Sequence, residues 1–206
     1  MERIIYDQIE QGKPEWHTIR AGCVTASMFD TVMAKGRGGG ESKTRRTYML
    51  TLVGQRLTGE VIDGHTNAHM ERGKEMEDSA RQLYSLTCGA EVQQVGFIKL
   101  GDDIGASPDG LIGSDGDLEI KTKLPHLHLD CLLRDEVPAE HIKQIQGQLW
   151  VADREWCDFV SYWPGLPIFI KRVPRDGKVI AEIRQAVDVF ISEMYDTMEM
   201  IKKIGA

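Results

Sequence analysis

The sequence predicts an α/β fold, in which a central mixed β-sheet is flanked by helices. Short segments typical of strands alternate with longer segments whose apolar residues recur at helical spacing. The alternation runs through the 206 residues without an internal repeat, and the one Gly-rich stretch is too short for a domain linker. A chain of this length fits one domain with a full core. We therefore expect residues 1–206 to form a single α/β domain.

Helical spacing, capping residues and stop signals define the predicted helices. Thr25 is positioned to cap the second helix, and Gly89 stands where the fourth should end. The predicted helices are Glu15–Arg20, one that follows Thr25 and carries Ala26, Phe29, Val32 and Met33, one that carries Tyr48, Leu50, Leu52, Val53 and Leu57 and ends before Gly59, Asn67–Thr87, Pro138–Ala152 and Val179–Ile204.

The predicted strands are shorter and lie between these helices, most of them in the middle of the chain. Their order relative to the helices is what favours a mixed sheet. The predicted strands are Val92–Leu100, the segment that leads into Ser107, Leu118–Thr122, Cys157–Trp163 and Ile168–Val173.

The composition is that of an ordinary globular protein, with 41% hydrophobic and 28% charged residues. No apolar run approaches the roughly 18 residues of a membrane span, and the first residues do not form a signal peptide. The 4 cysteines are scattered without a C-x-x-C pair, which fits reduced thiols better than disulfides or a zinc site. We expect a cytoplasmic protein with no membrane partner.

The net charge of −7 argues against a nonspecific nucleic-acid coat, which is normally basic. It does not exclude a nuclease, because a local basic patch and bound metal ions can supply positive charge. Such a patch runs from Lys35 to Arg46, where the basic residues stand against the single acidic residue Glu41. The same charges also fit a solvated flexible loop.

The stretch from Ser107 to Lys123 holds the most informative residues of the chain. Turn formers at 113–116 separate two short apolar pieces, so we expect a reversal there and a strand after it. On that strand Glu119 and Lys121 point to one face, since successive side chains alternate. Asp109, between a proline and a glycine, is placed to present a second carboxylate to the same face.

Two carboxylates beside a lysine suit divalent metal chemistry on phosphate. Lys121 would either stabilise developing charge or deprotonate a water, and the second role needs a strong fall from its usual pKa of about 10.4. An acidic turn followed by an edge strand with a surface ion pair is the alternative interpretation. An EF-hand loop fails on spacing, because Leu111 and Thr122 would occupy its acidic positions. A zinc site at His126-x-His128 lacks a further ligand at useful spacing.

Pro108-Asp109 with Glu119-Ile120-Lys121 resembles the PD-(D/E)XK nuclease motif, and the wider sequence is similar to the alkaline exonucleases of the phage lambda exonuclease type. The resemblance covers nearly the whole chain from Trp16 onward, with its motifs in the family's order and spacing. These motifs are Trp16-His17…Arg20…Val24-Thr25-Ala26-Ser27, Gly73-Lys74…Glu77…Ala80-Arg81, Ser107-Pro108-Asp109-Gly110 and Gln144…Gln146.

The resemblance implies a restriction-endonuclease-like core and a Mg²⁺-dependent exonuclease. Such an enzyme degrades one strand of linear double-stranded DNA from the 5′ end and leaves 3′ single-strand tails. Two Mg²⁺ ions are expected, with Mn²⁺ as a possible substitute. Asp109, Glu119 and the carbonyl of Ile120 are the implied ligands, Glu77 joins them through a metal-bound water, and Gln144 orients the attacking water. Read locally, Glu77 also fits a surface ion pair with the arginine four residues later.

The resemblance also implies the residues that bind DNA. Arg20 and Ser27 contribute to a pocket for the terminal 5′ phosphate, which suits a guanidinium and a hydroxyl near a helix N-terminus. Arg37 matches a loop arginine that contacts DNA, Met70 matches an apolar wedge, and Ser107 is a further DNA-binding position. Read locally, Arg20 also fits a side chain packed over the indole four residues earlier. His141 is a departure, because a tyrosine is expected there.

The implied partners are double-stranded DNA with a 5′-phosphate end and a single-strand annealing protein of phage-type recombination. A homotrimeric ring in a bacterial or phage-infected cell is expected on the same basis. Two other functions stay open from the residues: a PD-(D/E)XK endonuclease of repair or restriction type, and a non-catalytic DNA-binding recombination subunit.

Overall fold

The computed structural model describes the backbone at residues 1–40, 42–61 and 68–204, with the side chains at 37, 68–72, 74 and 75 outside that description. Strands and helices alternate along it, with a 3-10 turn at Ala26–Met28 and another at Arg37–Gly39. The strands are β1 Arg3–Tyr6, β2 Val24–Thr25, β3 Val92–Gln93, β4 Phe97–Leu100, β5 Ile104–Ala106, β6 Gly110–Ile112, β7 Gly116–Lys121, β8 Trp156–Ser161 and β9 Phe169–Pro174. The helices are α1 Pro14–Arg20, α2 Phe29–Met33, α3 Lys43–Thr58, α4 Ala68–Cys88, α5 Pro125–Arg134, α6 Ala139–Ala152 and α7 Gly177–Ile204.

The described strands form two mixed sheets flanked by helices. One sheet has the order β1-β4-β5-β2, with β5 and β2 parallel and the other neighbours antiparallel. The other has the order β3-β6-β7-β8-β9, in which β7 and β8 are the parallel pair. The predicted α/β class with a mixed sheet is therefore confirmed. The single domain stays a prediction, and no helix of the described chain is long and apolar enough to cross a membrane.

The single strand predicted at Val92–Leu100 is wrong, because the chain passes there from one sheet to the other at Gly96. The Gly96 amide donates to the carbonyl of Tyr6 at 2.9 Å. A Cβ on Gly96 would lie 2.1 Å from the carbonyl oxygen of Ile9, so no other residue fits this contact. The close approach of the N-terminal segment divides the apolar run into β3 and β4.

Two helix predictions also differ from the structure. Thr25 makes no side-chain cap, because the 3-10 turn intervenes before α2 and the Thr25 hydroxyl contacts the Ser27 hydroxyl at 3.3 Å. Helix α5 was not predicted. It buries His128, whose Nδ1 lies 2.8 Å from the Ser161 hydroxyl and whose Nε2 lies 3.0 Å from the carbonyl of Pro167. His128 is therefore a hydrogen-bonded core residue.

Helix α6 is deeply buried in its second half, where all residues from 145 to 152 are buried. It lies against the 3-10 turn at Ala26–Met28 and against β7. Gly147 allows α6 to approach the end of this turn and the start of α2, because a Cβ there would lie 2.3 Å from Cδ2 of Phe29. Tight packing on both sides fixes the position of α6 relative to β7.

We predict that Gly147→Ala destabilises the protein, although alanine is the better helix former. The added methyl group must displace the Phe29 ring, and such overpacking typically costs about 1–3 kcal/mol. Gly54→Ala is the matched control, because no atom lies within 4 Å of a Cβ at that position of α3. It should stabilise by about 0.5–1 kcal/mol. Urea unfolding of both variants measures the difference, and equal effects would contradict the packing argument.

Candidate active site

The predicted hairpin is confirmed and carries the acidic residues. β6 and β7 pair antiparallel with Gly110 opposite Leu118. Asp109 precedes β6, and its backbone amide donates to the carbonyl of Leu118 at 3.0 Å. The backbone amide of Ile120 donates to Oδ2 of Asp109 at 2.6 Å. The Asp109 carboxylate is thus held beside Glu119 and Ile120 of β7.

Glu119 is a buried carboxylate, 1% exposed, in the middle of β7. Two amide side chains of α6 donate to it: Gln144 Nε2 to Oε1 at 2.7 Å and Gln148 Nε2 to Oε2 at 2.6 Å. Lys121, on the same face of β7, forms an ion pair with Oε1. The predicted shared face of Glu119 and Lys121 is observed, and Gln144 lies where it can act on the same group.

Glu77 reaches the site from α4. Arg81 donates to Oε1 of Glu77 at 2.5 Å, to Oδ1 of Asp78 at 2.5 Å and to the carbonyl of Asp109 at 3.0 Å. The predicted ion pair between Glu77 and Arg81 is therefore present. Glu77 still lies beside the other acidic residues, because Arg81 also contacts Asp109. Burial raises the pKa of Glu77, Arg81 opposes that rise, and the charge of Glu119 adds to it. Arg81 joins α4 to the turn that carries Asp109.

The charges of the site are unbalanced toward the negative side. Burial raises the pKa of Asp109 well above its usual value, and the neighbouring charges of Glu119 and Glu77 raise it further. Burial lowers the pKa of Lys121, but Glu119 and Asp109 outweigh that effect, and the net pKa lies above the usual value. Lys121 is therefore an ammonium at neutral pH in this arrangement.

The donor set suits a hard divalent cation. A cation between Asp109 and Glu119 would relieve the repulsion that raises the pKa of Asp109, and carboxylate and carbonyl oxygens are the ligands that Mg²⁺ prefers. No group of three or more His, Cys, Asp or Glu side chains in the described chain is arranged to hold a metal. Asp109, Glu119 and the Ile120 carbonyl could hold Mg²⁺, which keeps several waters.

Arg20 lies over the indole of Trp16, with its guanidinium carbon 3.9 Å from the ring centroid. The indole is itself held in place, because its Nε1 donates to the carbonyl of Gly96 at 2.9 Å and to the hydroxyl of Ser107 at 3.0 Å. The packed arrangement of Arg20 is thus observed. Ser107 contributes to it as the acceptor for Trp16.

A cavity of about 920 Å³ connects Arg20 with the acidic residues. Arg20, Trp16 and Thr25 line one part of it, and Glu77 and Asp109 line another. Ser27 does not line the cavity, but its hydroxyl contacts that of Thr25. Arg20 therefore faces the same continuous space as Glu77 and Asp109.

Two predicted DNA-binding side chains lie outside the described part of the chain. Arg37 belongs to the 3-10 turn Arg37–Gly39, and Met70 belongs to α4, but the description does not extend to their side chains. Their roles stay predictions.

His141 lies beside the site on α6, where its ring stacks on Phe159 with centroids 5.4 Å apart. Burial lowers its pKa to about 4, and the charges of Lys123 and Lys121 act in the same direction. The imidazole is therefore neutral at physiological pH. An aromatic contact explains how histidine can stand where a tyrosine was expected.

Gln148 and Asp117 lie beside the assigned residues, although the sequence predicted no role for either. Gln148 follows Gln144 by four residues, so helical spacing places both amides on one face. Asp117 precedes Glu119 by two residues on β7, so strand alternation places both carboxylates on one face. Asp117 is fully buried, and its Oδ2 accepts no hydrogen bond from the described side chains. Both residues could have been found by extending the periodicity argument from the assigned residues.

Residues 15–155 match the family described as the YqaJ-like viral recombinase domain. The crystal structure of the alkaline exonuclease LHK-Exo from Laribacter hongkongensis superposes with a TM-score of 0.84 at 38% identity, covering 94% of this chain and 98% of the other. The structure of LHK-Exo in complex with dAMP gives the same values. A phage-related exonuclease from Haemophilus somnus matches in fold, with a TM-score of 0.68, 17% identity and coverage of 88% and 96%. No curated protein matches the sequence.

The fold and the site thus define a mixed α/β protein with a buried carboxylate and lysine group on a central hairpin. The chain belongs to the YqaJ-like viral recombinase domain family.

We predict that the buried His141 makes stability depend on pH. Between pH 6.5 and about 4 the unfolded chain binds a proton that the folded chain excludes, so the free energy of unfolding falls as the pH falls. The contribution of His141 to the free energy of unfolding reaches at most about 3 kcal/mol. His141→Phe keeps the stacking surface and removes this contribution, so its stability should vary less between pH 7.5 and 4.5. Urea unfolding measures the slope, and an NMR titration of His141 near its ordinary pKa would contradict the prediction.

Proposed function

We propose that the protein is a Mg²⁺-dependent exonuclease that degrades one strand of linear double-stranded DNA from the 5′ end and leaves 3′ single-strand tails. The observation that carries the proposal is the group of Asp109, Glu119 and Lys121 on one hairpin. Asp109 of this group lines a cavity that also reaches Arg20. LHK-Exo, at 38% identity, binds dAMP, a deoxynucleoside monophosphate of the kind that an exonuclease releases.

In the proposed reaction Asp109, Glu119 and the Ile120 carbonyl hold Mg²⁺. When bound, the metal lowers the pKa of a water and neutralises charge on the leaving oxygen. Lys121, kept as an ammonium by Glu119 and Asp109, supplies positive charge where the phosphate becomes more negative. Gln144 orients the attacking water. Through its hydrogen bond to Glu119, it also orients one of the metal ligands. Mn²⁺ is expected to replace Mg²⁺, and Glu77 would join the ligand set of two such ions through a metal-bound water.

The direction of digestion follows from the other part of the cavity. We assign Arg20, with Ser27, to the terminal 5′ phosphate, because a guanidinium donates well-aligned hydrogen bonds to phosphate oxygens. Each cut generates a new 5′ phosphate that the same pocket can bind, which draws the strand forward. Ser107 supports this part of the site by accepting a hydrogen bond from Trp16.

The wider setting is proposed on the family alone. The protein would act in the cytoplasm as a homotrimeric ring that encloses its DNA, and it would pass the 3′ tails to a single-strand annealing protein. Arg37 would contact the DNA backbone from its loop, and Met70 would act as an apolar wedge. Digestion of linear DNA without cleavage of closed circular duplex would distinguish the exonuclease from a PD-(D/E)XK endonuclease.

We predict that Asp109→Asn and Glu119→Gln each reduce digestion of linear duplex by at least about 10³-fold at saturating Mg²⁺, because each removes a charged metal ligand. Asp158→Asn is the matched control. Asp158 is also a buried carboxylate, but it lies on the opposite face of the sheet, bonded to Tyr84 and Arg172. It should lose stability and keep its activity when folded. Activity near wild type in either ligand variant would exclude the proposed site.

We predict that Arg20→Ala slows digestion from 5′-phosphorylated ends by roughly 10- to 100-fold, the size of one lost charge-assisted contact. The effect on 5′-hydroxyl ends should be much smaller. Arg37→Ala is the comparison variant: it should weaken binding to both ends equally and reduce the salt dependence, because it would contact backbone charge without recognising the terminus. Steady-state rates on the two substrates separate the roles. An Arg20→Ala defect of equal size on both ends would leave only the packing role on Trp16.

A further inference from the structure

We propose that Gln148 is a positioning residue that fixes the orientation of the Glu119 carboxylate and thereby sets the metal affinity of the site. The inference rests on the proposed function, in which Glu119 is a metal ligand. Gln148 is 1% exposed and lies one helical turn after Gln144. Its Nε2 donates to Oε2 of Glu119 at 2.6 Å, whereas Gln144 and Lys121 both contact Oε1.

The amides of Gln144 and Gln148 donate to different oxygens of the Glu119 carboxylate. Because each oxygen of Glu119 has its own donor on α6, rotation of the carboxylate would break both hydrogen bonds. Without Gln148, Oε2 would lose the donor that holds it, and Lys121 and Gln144 would still draw Oε1 toward one side. The carboxylate would then be free to turn about its contact with Oε1, and its lone pairs would no longer be fixed toward the metal.

An amide is suited to this position by its chemistry. It donates a charge-assisted hydrogen bond without adding a net charge. A lysine there would repel the cation, and a second carboxylate would repel Glu119. Oε1 of Gln148 accepts no hydrogen bond within the described residues, so Glu119 alone determines which way the amide faces. A reversed amide would place its oxygen against a carboxylate oxygen.

The helix that carries Gln148 is rigidly placed. Its neighbour Gly147 lies against Phe29, and the neighbour before that, Gln146, is also buried. Gln146 faces away from Glu119: its Nε2 donates to the carbonyl of Pro174 at 2.9 Å and its Oε1 accepts from the amide of Asp176 at 2.8 Å. Gln146 is therefore a buried glutamine of the same helix with no contact to the acidic site, which makes it the matched control.

The test measures Mg²⁺ binding to the DNA-free protein by calorimetry, together with the Mg²⁺ dependence of digestion. Gln148→Met keeps the size of the side chain and removes the donor, and it should weaken Mg²⁺ binding by roughly 10- to 100-fold, the usual effect of losing a hydrogen bond to a metal ligand. The rate at saturating Mg²⁺ should recover to within several-fold of wild type. Gln148→Asn, whose amide is one methylene too short, should show a smaller loss in the same direction and carries the test if the methionine variant does not fold.

Gln146→Met should be less stable and bind Mg²⁺ as the wild type does. Folded Gln148 variants with wild-type Mg²⁺ affinity would overturn the inference, and so would an equal loss in Gln146→Met. The readout is independent of cleavage. A wild-type protein that binds Mg²⁺ in a Gln148-dependent way without digesting DNA would therefore overturn the proposed function and leave the inference standing.

Discussion

The burial of the Glu119 carboxylate is the constraint on which the site depends. An ionised carboxylate in a poorly solvated interior is destabilising by several kcal/mol unless it is paired and hydrogen-bonded. Its partners come from two directions: Lys121 from the strand itself and the two glutamines from α6. The strand cannot carry the carboxylate without the helix, so the docking of α6 on β7 is part of the chemistry and not only of the core.

That docking reaches further than β7. The same helix packs through Gly147 against Phe29, which directly follows the turn that carries Ser27. One face of α6 thus orients Glu119, while another supports the segment assigned to the terminal phosphate. A displacement of α6 would therefore change the orientation of Glu119 and the segment that carries Ser27 together. Glycine is needed at position 147 because a Cβ there would meet the Phe29 ring.

The sequence predicted what is determined locally. The hairpin at Asp109 to Lys121 follows from turn formers and alternation within a few residues, and the helix at Val179–Ile204 follows from a long amphipathic pattern that the observed α7 extends by only two residues. The break at Gly96 was not predictable, because it is caused by the carbonyl of Ile9, far away in the sequence. Helix α5 could have been predicted, because Pro125 at its first position and Arg134 in its last turn are ordinary helix signals. What no local pattern reveals is that its buried histidine is satisfied by Ser161 and Pro167.

The two interpretations of Arg20 are compatible on physical grounds. Stacking on an indole uses the face of the guanidinium, whereas its N–H donors lie in the plane of the group, where phosphate is recognised. Stacking also restricts the side chain before any ligand arrives, which reduces the entropy lost on binding. The indole is in turn held by Gly96, where the chain passes between the sheets, and by Ser107, which leads into Asp109. The Trp16 side chain therefore ties the position of Arg20 to the hairpin that carries the acidic residues, and in the proposed reaction it would set the distance between the bound end of the strand and the bond that is cut.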